Sequence, residues 1–215
     1  MNKITIAFLA GLLLVAAGCR WGGIMGNGHI VTEARSVSDF SEIQADGGFQ
    51  IEWRGGPPSL NITTDENLLR YIDNQNIDHR LRLHSRGNLW ATHGVKVAVS
   101  SPTRSGARLT GAARLTAKQL SGHSFAIEST GAAKVMLDGN VDELVTDMTG
   151  ASRLEAGALQ TKSAEISSTG ASHAEVAVSE TLKVSITGAG KVIYSGNPPT
   201  IEKHVSGAGS IRHKE

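Results

Sequence analysis

The chain has 215 residues, of which 40% are apolar, 25 are glycine and only 4% are aromatic. Because the apolar residues recur in short regular runs, this composition excludes a disordered low-complexity chain and a collagen. The net charge of +1 does not demand a polyelectrolyte partner. The single cysteine excludes a disulfide framework within one chain and a cysteine-based zinc site.

The first 18 residues have the layout of a bacterial export signal. Lys3 precedes an apolar run of 14 residues that begins at Ile4, which is shorter than the roughly 20 residues that span a bilayer. Cys19 ends this segment and resembles the acylation site of a lipoprotein signal, with Ala16 where leucine is usual. We therefore expect a signal peptide over 1–18 and lipid attachment at Cys19; an ordinary secretory signal is the alternative. The residue after Cys19 is Arg20 and not aspartate, which by resemblance to enterobacterial lipoprotein sorting favours the outer membrane.

The region between the signal and residue 100 is predicted to be mostly strand. Residues 19–28 contain four glycines and predict a flexible spacer. Residues 65–72 have apolar residues at helical spacing after Asp65, which predicts one short helix with Asp65 as its N-cap. Alternating apolar residues predict short strands at 30–32, 40–45, 49–53, 60–63, 81–83 and 95–99. No long linker divides residues 29–215, so we expect one domain.

The C-terminal half is a repeat of a Thr/Ser-Gly-Ala unit between residues 110 and 208. Its glycines are spaced by 20, 19, 20, 18 and 19 residues and are Gly111, Gly131, Gly150, Gly170, Gly188 and Gly207. Apolar residues alternate with polar ones after each glycine and again before the next, as in half-buried strands. Two or three short strands per ~19 residues predict an all-β fold, a parallel β-solenoid with coils about 4.8 Å apart.

The Thr-Gly-Ala unit is interpreted as a corner of each coil. Glycine tolerates positive φ and a close backbone approach. Alanine is small enough to fill a corner, and stacked threonine hydroxyls can form hydrogen bonds along the ladder. We therefore expect an inward alanine and a hydrogen-bonded threonine column.

Several segments resemble the GIN domain family, also called the auto-transporter adhesin head domain. They are the run from Gly28 to Ile43, the strand Phe49-Gln-Ile-Glu-Trp, the segment Asn67-Leu-Leu-Arg-Tyr-Ile and the terminal Thr/Ser-Gly-Ala units. The resemblance spans about residues 26–213. It implies a β-helix-like domain on exported, often lipid-anchored bacterial proteins, and it brings no catalytic residues.

One column of basic residues is the candidate binding site. The residues three positions after successive repeat glycines are Arg114, Lys134, Arg153, His173 and Lys191. In a solenoid they form one outward column, suited to an anionic polymer: lipopolysaccharide, an acidic polysaccharide or nucleic acid. A solvated face that resists lateral association is the alternative, since Glu155 and Glu175 share this face. Aromatic residues suited to stacking on bases are missing from it, so we expect no nucleic-acid partner.

No motif predicts catalysis, a cofactor or a metal site. Neither an HExxH spacing nor a G-x-S-x-G elbow occurs. We therefore expect a non-enzymatic binding or scaffolding domain of the cell envelope, facing the periplasm or the cell surface, whose partner beside the membrane is a polysaccharide or a protein. The alternative is a polysaccharide-active enzyme with a carboxylate cluster drawn from Asp46, Glu52, Asp65 and Asp78.

Overall fold

The structure is a computed structural model that describes residues 22–214, and it is dominated by strands. Strands before the repeat are β1 (Gly23–Met25), β2 (Ile30–Arg35), β3 (Glu42–Asp46), β4 (Phe49–Gly55), β5 (Ser59–Asp65), β6 (Ile72–Ile77), β7 (Arg80–Ser85), β8 (Asn88–Trp90) and β9 (Val95–Ser101). Strands of the repeat region are β10 (Gly106–Gly111), β11 (Arg114–Gly131), β12 (Lys134–Gly150), β13 (Arg153–Gly170), β14 (His173–Gly188), β15 (Lys191–Ser195), β16 (Thr200–Gly207) and β17 (Ser210–His213).

The predicted short helix is present as a single 3-10 helix, Glu66–Tyr71, in the described part of the chain. Asp65 occupies its N-cap position, but the carboxylate makes no hydrogen bond to the helix. The expectation that Asp65 caps the helix is therefore wrong at the level of the side chain. Its oxygens are instead bound by the backbone of Gly28 and by Thr92.

The strands stack in two parallel ladders, which confirms the predicted β-solenoid. One ladder runs through β7, β3, β10, the second halves of β11 to β14, and β16. The other runs through β9, β4, the first halves of β11 to β14, β15 and β17. All six repeat glycines lie in one register of the first ladder. The Thr/Ser-Gly-Ala repeat is thus one coil per unit.

The interior is built from the predicted apolar columns. Residues four positions after each glycine pair in series and are Leu115, Val135, Leu154, Ala174, Val192 and Ile211. All of them except the last are buried, because successive strand residues point to opposite faces. Toward the N-terminal end, the Trp53 ring lies 6.0 Å from the rings of both Phe40 and Phe125. These three large aromatic side chains fill the core in this part of the solenoid.

The order of the coils differs from the order of the chain. The layer formed by β3 and β4 lies between the layer of β7 and β9 and the layer that begins at β10. The second coil of the stack is therefore formed by residues that precede those of the first coil in the sequence. Beyond the first layer, β5 and β6 pair antiparallel with β9 and β7, and β2 pairs antiparallel with β5. These antiparallel strands cover the N-terminal end of the solenoid.

Two details of the corners differ from expectation. The alanine of each unit, for example Ala132 or Ala151, is exposed, and the interior corner position is the next residue, such as Ala133 or Ser152. The glycine has a positive φ, 114° at Gly131, and the residue two positions after it is the one that is buried. The corner threonines pair in register, as Thr130 with Thr149, but among residues 22–214 no hydrogen bond joins two hydroxyls of this column.

The spacer predicted over residues 19–28 is also shorter in the structure. Residues 23–25 form β1, which pairs in parallel with β8. The backbone amide groups of Asn27 and Gly28 donate hydrogen bonds to Asn67 and Asp65. The ordered domain therefore begins before residue 29, because these glycines allow close packing and do not act as a linker.

Candidate functional site

The five predicted basic residues lie together in one column across five coils. Their α-carbons pair in series along the second ladder, in the order Arg114, Lys134, Arg153, His173 and Lys191. Neighbouring strands lie about 4.8 Å apart, so the column presents a charged or ionisable group at each strand step. We call these five residues the cationic column.

The column continues toward the N-terminal end through residues that the sequence analysis did not include. Gln50 of β4 pairs with Arg114, and Lys96 of β9 pairs with Gln50. The signal was present in part, because Gln50 stands three positions after Gly47 as Arg114 stands three after Gly111. Gly47 contacts Gly111 in the glycine register. This coil has no Thr-Gly-Ala unit, so the repeat pattern of the sequence does not extend to Gln50 and Lys96.

Carboxylates on the same face neutralise part of this charge. The next outward column contains Glu155 and Glu175, whose α-carbons pair directly. Lys134 Nζ lies 2.8 Å from Glu155 Oε1, whereas Lys214 forms a 2.6 Å ion pair with Glu175. The acids therefore compensate Lys134 and Lys214, and they leave most of the column without a partner.

Three cations of the column remain available to a ligand. Within residues 22–214, Arg114, Arg153 and Lys191 take part in none of the ion pairs and in no side-chain hydrogen bond. Lys96 is likewise without an ion-pair partner in this part of the chain. Guanidinium and ammonium groups whose donors are unoccupied can bind carboxylates or sulfates, and the guanidinium does so in a bidentate geometry.

His173 lies between two of these cations. Burial lowers the pKa of the His173 imidazole, and the charges of Arg153 and Lys191 lower it further, against weaker opposing effects of Glu155 and Glu175. The position of the imidazole in the column therefore disfavours its protonated form. A bound anion would reverse this effect, because a nearby negative charge favours the protonated ring.

An open cleft of about 430 Å³ lies at the N-terminal end of the column. Lys96, Gln50 and Arg114 line one wall of the cleft, and Thr63 and Thr116 add hydroxyl groups. Glu52 also lines the cleft and forms a 3.1 Å ion pair with Arg54. The cleft thus combines two cations with amide and hydroxyl groups, which suits an acidic sugar.

The carboxylates of the alternative enzymatic hypothesis are dispersed. Asp46 ends β3 beside Thr110, Asp78 lies in the β6–β7 turn with φ of 52°, and Glu52 lines the cleft. Across residues 22–214, no hydrogen bond or ion pair joins any two of the four. The same residues contain no group of three or more His, Cys, Asp or Glu that could hold a metal ion.

Asp65, the fourth of these carboxylates, is a structural clasp. Its Oδ1 accepts hydrogen bonds from the Gly28 amide at 2.7 Å and the Thr92 hydroxyl at 2.7 Å, and its Oδ2 accepts one from the Thr92 amide at 2.8 Å. Burial acts to raise the pKa of Asp65, but these hydrogen bonds together outweigh it and hold the pKa below its ordinary value. The ionised form of Asp65 is therefore favoured, and its carboxylate joins Gly28 to Thr92.

Cys19 and the predicted signal peptide lie outside the described residues. In the part of the chain that the structure describes, no helix is long and apolar enough to cross a membrane.

Comparisons with solved structures support the fold. A "putative adhesin" from Bacteroides fragilis is 20% identical with a TM-score of 0.72, over 89% of this chain and 100% of that chain. A "putative adhesin" from Parabacteroides merdae is 22% identical with a TM-score of 0.54, over 90% and 99% of the two chains. A "putative lipid binding protein" from Parabacteroides distasonis is 19% identical with a TM-score of 0.56, over 90% and 100%. At these identities the likeness concerns the fold alone.

No curated protein matches the chain in sequence. A family model described as "Putative auto-transporter adhesin, head GIN domain" matches residues 39–198, which include the β3–β4 coil and most of the repeat. This match covers well over half of the chain and agrees with the resemblance found in the sequence. The chain belongs to the GIN domain family of adhesin-type head domains.

Proposed function

We propose that this protein is an exported, lipid-anchored domain of the bacterial cell envelope that binds an acidic polysaccharide along the cationic column without catalysing a reaction. The observation that carries the proposal is the register of Arg114, Arg153 and Lys191, which lie on one face with no ion-pair partner among the described residues. Family membership, which suggests an exported surface-type protein, supports the location.

A repeating ligand matches a repeating site. Each coil adds one strand spacing of about 4.8 Å, so a flexible chain of acidic sugars can place successive carboxylates against successive cations. Each exposed contact contributes little alone, roughly 0.2–1 kcal/mol, and several in series give useful affinity. The cleft at Lys96, Gln50 and Arg114 would bind one end of such a segment.

Anchoring is supported by the sequence. The apolar run that begins at Ile4 and the position of Cys19 resemble those of a lipoprotein signal. Two or more acyl chains at Cys19 would hold the domain stably on a membrane, whereas one would not.

The binding proposal is tested with the mature protein in detergent and polygalacturonate as the probe, with dextran as the uncharged control polymer. Combined substitution of Arg114→Gln, Arg153→Gln and Lys191→Gln is expected to weaken binding roughly tenfold, or about 1.4 kcal/mol. Wild-type binding is expected to weaken as salt rises, because exposed charges are screened.

A control removes the same charge from the other ladder, with Arg82→Gln, Arg108→Gln and Lys183→Gln; of these three residues, Arg108 forms an ion pair with Glu128. These residues lie on β7, β10 and β14, and this variant is expected to bind like the wild type. Equal losses in the two variants would mean that net charge and not the column determines binding. Unchanged affinity in the column variant would contradict the proposal and leave a protein partner as the hypothesis to pursue.

A further inference from the structure

The N-terminal end of the solenoid has an exposed apolar surface on a two-stranded ribbon. β1 and β8 pair in parallel, with Gly23 opposite Asn88 and Met25 opposite Trp90. Met25 is 62% exposed and Trp90 is 46% exposed. β8 belongs to the first layer of the solenoid, since it lies between β7 and β9 in the chain. We call Met25 and Trp90, with the strands that bear them, the apolar ribbon.

The apolar ribbon is held firmly against the domain. The Gly26 amide donates a 3.0 Å hydrogen bond to the Trp90 carbonyl, and the Asn67 side-chain amide donates a 2.8 Å hydrogen bond to the Met25 carbonyl. The Trp90 indole lies directly on Gly23, where a β-carbon would collide with the ring. One face of the indole is therefore covered by backbone, and its orientation is restricted.

The ribbon lies close to the proposed lipid in the covalent chain. Four residue steps separate Cys19 from Gly23, and four steps of extended chain reach no more than roughly 14 Å. This inference rests on the proposed acylation of Cys19. If the lipid is in the bilayer, β1 cannot lie farther than that from the lipid-bearing residue.

Two polar contacts between ionisable side chains lie close in sequence to the ribbon strands. His29 Nδ1 lies 3.1 Å from Glu66 Oε2, and Arg86 Nε lies 3.1 Å from Asp73 Oδ2. Contact of the ribbon with a membrane would depend on Met25 and Trp90, which are its exposed apolar side chains. Tryptophan is well suited to this position, because its amphipathic ring favours the interface between lipid and water.

We propose that the apolar ribbon docks on the bilayer that holds the lipid anchor, with Met25 and Trp90 in the interface. The solenoid then stands on its N-terminal end, and its last coil lies roughly 34 Å farther along the axis, at seven strand spacings from the first. The cationic column runs away from the membrane in this orientation and is open to a ligand along its length.

The test uses the mature lipidated protein in phosphatidylethanolamine–phosphatidylglycerol vesicles, with and without brominated acyl chains that quench nearby tryptophan. All variants have the substitution Trp21→Phe, so that Trp53 and Trp90 are the remaining tryptophans. Trp53 is fully buried in the core, with Nε1 donating a hydrogen bond to Ser101 Oγ at 2.9 Å. We expect brominated lipid to quench the emission of Trp90 and to leave that of Trp53 unchanged.

Three further variants identify the source of the quenching. Trp90→Phe is expected to abolish it, and Met25→Ser is expected to reduce it severalfold. Ile201→Ser, at a side chain 39% exposed at the other end of the solenoid, is the matched control and is expected to leave it unchanged. The main result, quenching of Trp90, is measured with the ribbon unsubstituted, so it does not depend on the stability of a ribbon variant.

Flotation of the vesicles separates the two proposals. Protein that floats with the vesicles but shows equal emission in brominated and unbrominated lipid would overturn docking and leave anchoring intact. Protein that does not float would contradict lipid anchoring and docking together. Quenching that persists in Trp90→Phe would also overturn docking through the ribbon.

Discussion

Gly150 lies on Gly131 so closely that a β-carbon at position 150 would be 2.5 Å from the Gly131 carbonyl oxygen. Both residues have positive φ, 107° and 114°, and they pair in the same register of the first ladder. The coils can approach to strand spacing at this corner only because neither residue has a side chain. The repeat of glycine in the sequence is thus a steric requirement of stacking.

The glycine register predicts that Gly150→Ala destabilises the protein strongly. Positive φ costs an alanine of order 1–3 kcal/mol, and the contact with Gly131 adds to that cost. We expect the free energy of unfolding to fall by at least about 2 kcal/mol, as measured by urea denaturation. Gly48→Ala is the control, because a β-carbon at Gly48 meets nothing within 4 Å; a Gly150 variant as stable as this control would contradict the steric account.

Ser168→Ala is expected to stabilise the protein. The Ser168 hydroxyl is buried and has no hydrogen-bond partner among residues 22–214, and it lies in an interior column between Met148 and Ile186. Removing an unsatisfied buried hydroxyl should raise the free energy of unfolding by about 1 kcal/mol. Ser167→Ala, at the half-buried neighbour on the other face, should change it little, and a destabilised Ser168→Ala would indicate that the hydroxyl has a partner.

Asp65 should make stability depend on pH in the acid range. Its pKa in the folded protein lies below the ordinary value of 3.8, so its contribution is fully present above that value and is lost as pH falls through the folded pKa. Asp65→Asn is expected to lower Tm near neutral pH, because an amide cannot accept all three hydrogen bonds. It should also flatten the decline of Tm below pH 4, and an equally steep decline in the variant would contradict this role.

Protonation of His173 should destabilise the folded protein, whereas protonation of an ion-paired histidine stabilises it. Its pKa in the folded protein lies below the ordinary value of 6.5, so the unfolded chain binds more protons in this range and stability falls as pH drops below 6.5. His173→Gln is expected to reduce that slope in thermal unfolding measured from pH 7.5 to 5. An unchanged slope would mean that burial and the charges of Arg153 and Lys191 do not lower the pKa of the imidazole in the folded protein.

Protonation of His173 should also be linked to ligand binding. A polyanion on the cationic column would favour the protonated form of His173, so the affinity for polygalacturonate should increase as pH falls from 7.5 to 5.5. Titration of the wild type and His173→Gln at both pH values measures this effect. Equal pH dependence in the two proteins would place the polymer away from His173.

The solenoid and the cationic column could be predicted because both depend on local periodicity. Glycine spacing determines which residues stack, so Arg114 and Lys134 share a column wherever the coils lie in space. The position of β3 and β4 between later strands could not be predicted, because pairing between distant segments is absent from any local pattern. Gln50 and Lys96 belong to the column only because of that long-range pairing.

Asp65 illustrates a second limit of sequence analysis. An aspartate before a helical segment is a strong capping signal, yet in this protein its oxygens are bound by Gly28 and Thr92, far away in the chain. Three close donors from a tertiary contact outweigh one local cap. The same contact orders residues that composition alone had indicated as a spacer.

The most direct test of the central claim is protease treatment of intact cells that express the wild type or Cys19→Ala, followed by fractionation of the membranes. We expect the wild type to fractionate with the outer membrane and Cys19→Ala to be soluble after export. Cleavage of the wild type in intact cells would make host and matrix polymers the ligands to test, whereas cleavage only after opening of the outer membrane would make periplasmic polymers the ligands. A wild type as soluble as Cys19→Ala would contradict the anchored domain proposed here.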